Sequence, residues 1–84
     1  MNICGVLVHA APARIDRVLG SLELIEGLEI HDVADGARIV VTVEDVGSHL
    51  ALDALGAIHA TDGVVAAALV YHHFEPAGNA ATAV

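Results

Sequence analysis

The sequence predicts an α+β domain in which a four-stranded antiparallel sheet carries two helices on one face, in the order βαββαβ. Three observations lead there. The apolar residues repeat with period two, then with the helical period of about 3.6, then with period two again, and this switch occurs twice along the chain. The dipeptide Asp35-Gly36 stands between two β-rich runs, where a hairpin turn would fall. The chain has 84 residues, enough for one small domain with one modest core.

Residues 3–9 alternate loosely and are rich in Val and Leu, so they read as a buried strand. Pro12 suits the first turn of a helix, where a missing N–H costs nothing. Ile15, Val18, Leu19, Leu22 and Ile25 then fall three or four apart and make one apolar stripe, with Arg14, Asp16, Arg17 and Glu23 mostly off it. Gly27 is the expected stop. Residues 28–44 read as a hairpin closed by a two-residue Asp35-Gly36 turn. Leu28 and Ile30 share one side of its first arm, with Glu29 and His31 opposite. In the second arm Ile39, Val41 and Val43 oppose Arg38, Val40 and Thr42. A second helix comes next, with Asp45 or Ser48 as cap and Leu52, Leu55 and Ile58 as its apolar face. Asp62-Gly63 ends it, and residues 64–72 form the last strand. The folded domain is expected over residues 1–74, and the segment EPAGNAATAV at 75–84, which has no periodicity, is expected to be a disordered tail.

Right-handed crossovers in this order give the ferredoxin-like arrangement, with spatial strand order 4-1-3-2. Both helices then cover one sheet face and leave the other open. The covered face should take Val6, Val8, Ile39, Val41, Val43, Val65 and Leu69. Their alternates on the open face are Gly5, Leu7, His9, Arg38, Val40, Thr42, Ala66, Ala68, Val70 and His72. Gly5, Ala66 and Ala68 would leave a shallow trough in which a helix could lie closely. Small residues there could instead serve only to lower an aggregation hazard, but Leu7, Val40 and Val70 exposed together favour docking. Glu29 and Glu44 are the carboxylates best placed at the margin of this face.

The core must be aliphatic, because the chain is 56% hydrophobic yet has one Phe, one Tyr and no Trp. Eleven acids against three arginines and no lysine give a net charge of −8. That argues against nucleic acid, whose phosphates need cationic contacts, and is compatible with a cationic partner. No apolar run approaches the roughly 20 residues of a membrane helix, so no direct membrane insertion is expected. The N-terminal MNICGVLVHAAPA lacks the basic n-region of a secretory leader, so the chain reads as cytoplasmic. Cys4 is expected to be a buried small hydrophobe.

The six histidines, among them the adjacent pair His72-His73, raise the question of a metal or acid–base site. Neighbours in a regular strand point to opposite faces, so these two cannot share one ion. His9 and His72 share the open face in this scheme but end antiparallel strands, about 20 Å apart by strand rise. No metal is expected. Ser21 and Ser48 have no nucleophile-elbow context, no glycine-rich phosphate loop exists, and Cys4 has no cysteine partner in the chain. No catalytic residues and no cofactor are expected.

ICGVLVHAAPARIDRV at 3–18, DGARIVVTVE at 35–44 and above all DGVVAAALVYHH at 62–73, with its Val70-Tyr71-His72 ending, resemble the NapD family over about residues 3–73. The chain departs from the family pattern in its alanine-rich second half and in the few polar residues on its second helix. The resemblance implies a ferredoxin-like chaperone that binds the twin-arginine signal peptide of NapA, the catalytic subunit of periplasmic nitrate reductase. It implies that the precursor is held back from export while the molybdenum cofactor is inserted in the cytoplasm, and that the peptide lies in helical form across the open sheet. A monomer, or at most a weak dimer, suits that role. The other reading is a small regulatory domain that dimerises through its open face around a ligand.

Overall fold

A computed structural model describes residues 2–74; Met1 and residues 75–84, the expected tail, lie outside the described residues. Four strands, β1 (Asn2–Ala10), β2 (Leu28–Ala34), β3 (Arg38–Glu44) and β4 (Val64–Phe74), form one antiparallel sheet. Its order is β2-β3-β1-β4, the expected 4-1-3-2 read from the opposite edge. Two helices, α1 (Ile15–Leu22) and α2 (Ala51–Ala60), complete the βαββαβ order, with a short 3-10 turn over Pro12–Arg14 ahead of α1.

The core lies between helices and sheet. Val6 and Val8 of β1, Ile39, Val41 and Val43 of β3, Val18 and Leu22 of α1, and Ile58 of α2 are at most 1% exposed. Ile15, Leu19 and Ile25 pack against this cluster, so the predicted stripe of the first helix faces inward. The helix itself stops at Leu22, short of Gly27. Gly27 has φ +82, and a Cβ there would collide with the Glu44 carbonyl, so the bend into β2 requires glycine.

The hairpin turn has three residues, not two. Ala34 pairs with Arg38, leaving Asp35-Gly36-Ala37 as the loop. Ala37 adopts φ 60, unusual for a residue with a Cβ. It is held there because it packs against the core and its carbonyl accepts the Ala10 N–H at 2.9 Å.

The second helix is rotated from the expected face. Ala51, Ala54 and Ile58 are buried and Leu55 packs behind them, whereas Leu52 is 74% exposed. The segment ALDALGAIHA is apolar nearly all round, so its pattern does not select a rotation. Close approach of the helix to the sheet does, and it favours the alanines.

Strand β4 departs most from regular alternation. Two register shifts, one between Gly5 and Val6 and one between His9 and Ala10, leave Val70 and Val65 out of the pairing with β1. Each bulge reverses the sidedness of the residues beyond it. Val65, expected in the core, is 73% exposed. Leu69 does sit opposite Val6 on the helix side, but this is the sheet edge and it remains 53% exposed.

Asp45 ties three elements together. Its Oδ1 accepts the Ala51 N–H at 2.8 Å, while Oδ2 accepts the Asn2 backbone N–H at 2.9 Å and the Asn2 amide at 3.1 Å. One of the two expected caps thus acts on the first turn of α2 from six residues upstream, with Leu50 in the N-cap position itself. The bond from Ala51, then those from Asn2, hold the Asp45 carboxyl below its usual value. A carboxylate depressed on folding stabilises the fold fully above its unfolded pKa, about 3.9, and loses that contribution as pH falls through the lower folded value. Urea midpoints are therefore expected to fall as pH drops from 5 through the acid range. Asp45→Asn should lower the midpoint at pH 7 and flatten this acid limb; a limb of unchanged steepness would assign the proton uptake to another group.

Candidate functional site

The sheet face away from the helices can be read as rows across β2, β3, β1 and β4. Glu44, Ile3 and His73 make the first row. Glu29, Thr42, Gly5 and Tyr71 make the second. Asp32, Val40, Leu7 and Ala68 make the third, and Ala34, Arg38, His9 and Ala66 the fourth. Eleven of the twelve sequence-predicted site residues thus have positions on this face, since Val70 also borders it as a bulge.

His72 is the exception. It pairs with Cys4, whose side chain is buried in the core, so it lies on the helix side. There its Nε2 is 2.8 Å from the Asn2 Oδ1. The bulge at Val70 is the cause: it inserts one residue, turns Tyr71 to the open face and sends His72 to the other. His72 and His9 therefore do not share a face. Among the described residues no three His, Cys, Asp or Glu side chains form a group that could hold a metal.

A cavity of about 450 Å³ opens in the second and third rows, lined by Gly5, Leu7, Val40, Thr42, Val70 and Tyr71 with His31 beside them. Its lining is almost wholly apolar. Gly5 has no Cβ, and one built there would overlap the Tyr71 ring, so the ring lies directly over the glycine. The trough expected from three small residues is therefore narrower than the sequence suggested: the tyrosine fills its Gly5 section and becomes a wall. Ala66 and Ala68 lie beside the cavity and do not line it.

Polar groups frame this surface. His31, left out of the β2–β3 pairing by a register shift, is 2.8 Å from the Thr42 Oγ1. Glu29 and Glu44 are exposed near one end, and Asp32 adds a third acid on the β2 edge. Arg38 stands at the other end, its Nε donating to the Asp35 carbonyl at 3.0 Å. Tyr71, His31 and Asp32 were not picked from sequence. The sheet bulges that set their places leave no trace in a pattern of apolar residues. A glycine in a central strand was the one available hint, since such positions often admit a close neighbour.

This arrangement offers shape, apolar contact and charge, and suits binding more than bond chemistry. Family comparison gives it a context. The family model described as NapD protein matches residues 1–76. The chain belongs to the NapD family. Two relatives called Chaperone NapD, from Escherichia coli strain K12 and from Shigella flexneri, are each 29% identical over 78 residues, covering 92% of this chain and 90% of theirs. The solution structure of the E. coli Tat proofreading chaperone protein NapD matches with a TM-score of 0.71 at 29% identity, over 92% of this chain and 82% of that one. The NapD fold thus accounts for the ferredoxin-like sheet found here. Among the described residues no helix is long and apolar enough to cross a membrane.

Proposed function

We propose that this NapD-family protein is a cytoplasmic, non-enzymatic chaperone that binds the twin-arginine signal peptide of the nitrate reductase catalytic subunit precursor, NapA. By covering the peptide it delays export until cofactor insertion is complete. The observation that supports this best is the open face itself, an apolar cavity framed by carboxylates on the sheet face away from the helices. A basic peptide with an apolar stretch complements it in both respects. The net charge of −8 draws such a peptide from a distance.

Calorimetric titration with the NapA signal peptide tests the reading; saturable one-to-one binding is the expected result. A stable dimer indifferent to the peptide would favour a regulatory domain that uses the face for self-association. Electrostatics should tune the affinity and apolar contact should supply most of it. The double variant Glu29→Gln/Glu44→Gln is expected to bind about three- to tenfold more weakly at low salt, as for exposed charge pairs of up to about 1 kcal/mol. The deficit should shrink above about 0.5 M salt, where screening removes what the acids contribute. A deficit independent of salt would show that these carboxylates act by shape or hydrogen bonding.

A further inference from the structure

The open face is not symmetric end to end. Glu44, Glu29 and Asp32 occupy its first three rows, whereas Arg38 and His9 share the fourth. From Glu44 to Arg38 along β3 is six residues, about 20 Å by strand rise. About 13 residues of α-helix span the same length. Between the two ends lies the cavity against the Tyr71 ring.

A helix carries partial positive charge at its N-terminus and partial negative charge at its C-terminus. In a signal peptide the basic residues come before the apolar stretch. We propose that this face fixes the direction of its peptide, with the arginine-bearing N-terminal turn at Glu29 and Glu44, the C-terminal end toward Arg38 and His9, and one downstream apolar side chain seated against Tyr71. This inference rests on the peptide-binding reading above, with the peptide bound as a helix. Side-chain charge and helix dipole favour the same direction. The reverse direction sets the peptide arginines against Arg38 and the negative helix end against two carboxylates. Tyr71 is then a specificity-determining residue, because its ring, laid over Gly5, closes the β4 side of the seat.

Tyr71 also supplies a native probe, since the chain has one tyrosine and no tryptophan. The test uses a NapA signal peptide free of Tyr and Trp, carrying a nitroxide either before the arginines or after the apolar stretch. The N-terminal label is expected to broaden the amide signals of Glu29 and Glu44 more than those of His9 and Arg38, and the C-terminal label to do the opposite. Tyrosine emission should change on binding. Tyr71→Ala should weaken binding about tenfold or more, as for a buried aromatic anchor, and Tyr71→Phe should restore it. Gly5→Ala, which displaces the ring, should weaken binding while keeping a cooperative unfolding transition. The opposite broadening pattern, or equal broadening at both ends from either label, overturns the direction and leaves the docking face standing. Broadening confined to α1 and α2, with tyrosine emission unchanged, overturns both the direction and the docking face.

Discussion

Leu22→Ala is expected to lower the free energy of unfolding by about 2–5 kcal/mol, the range for a fully buried leucine. Leu22 is 0% exposed at the last position of α1, packed in one cluster with Val18, Ile39, Val41, Val43 and Ile58. Removing its side chain loses apolar burial and leaves a cavity that a core with no aromatic among the described buried residues has little means to refill. A domain of this size has a total stability of about 4–13 kcal/mol, so the loss is a large share of the whole. Leu52→Ala is the companion measurement. With Leu52 mostly in solvent, it should change stability by no more than about 0.5 kcal/mol. Urea unfolding of both variants checks the core and the rotation of α2 together. A costly Leu52→Ala with a neutral Leu22→Ala would show that the helices present other faces to the sheet.

Val40→Trp is expected to weaken signal-peptide binding about a hundredfold, close to 2.7 kcal/mol, with little change in folding stability. Val40 stands on an interior strand, 40% exposed, between Leu7 and Asp32 on the open face. An indole there occupies the cavity that the peptide would fill. The sheet itself should tolerate the change, because tryptophan is a favourable strand residue and the position faces no helix. Leu24→Trp, at a residue 86% exposed just after α1, is the control and should bind normally. Calorimetry with the NapA signal peptide measures both. Normal binding by Val40→Trp would move the peptide off this face and toward a sheet edge.

The element order, the strand order and the core of β1, β3 and α1 were legible in the sequence because their apolar residues alternate or recur without interruption. The open face was legible for the same reason over β1 and β3, where Gly5, Leu7, His9, Arg38, Val40 and Thr42 keep strict alternation. Legibility failed at three kinds of place. In α2 the pattern is apolar all round, so helix–sheet spacing chooses the buried side and Leu52 loses to Ala51 and Ala54. At the Asp35-Gly36-Ala37 turn, a tertiary hydrogen bond to Ala10 holds one more residue in the loop than the dipeptide suggests. In β4 two bulges break the count, so that His72 exchanges faces with Tyr71. A run such as VVAAALVYHHF carries no local marker for an extra residue, because each neighbour is as fit for a strand as the next.

The same bulges bear on how long the protein stays in solution. Strand β4 is an outer strand of 11 residues with no proline, lysine or arginine, and its Val65, Leu69 and Val70 are largely exposed. A flat strand of that composition would recruit the edges of other molecules into growing fibres. Interrupted at Val65 and again at Val70, it offers no evenly spaced run longer than the four residues of 66–69 or 71–74. That is shorter than the six- or seven-residue segments that stack into cross-β assemblies. The kinks therefore let the chain keep a greasy last strand, with Tyr71 turned to the open face, while denying that strand the length it needs to polymerise.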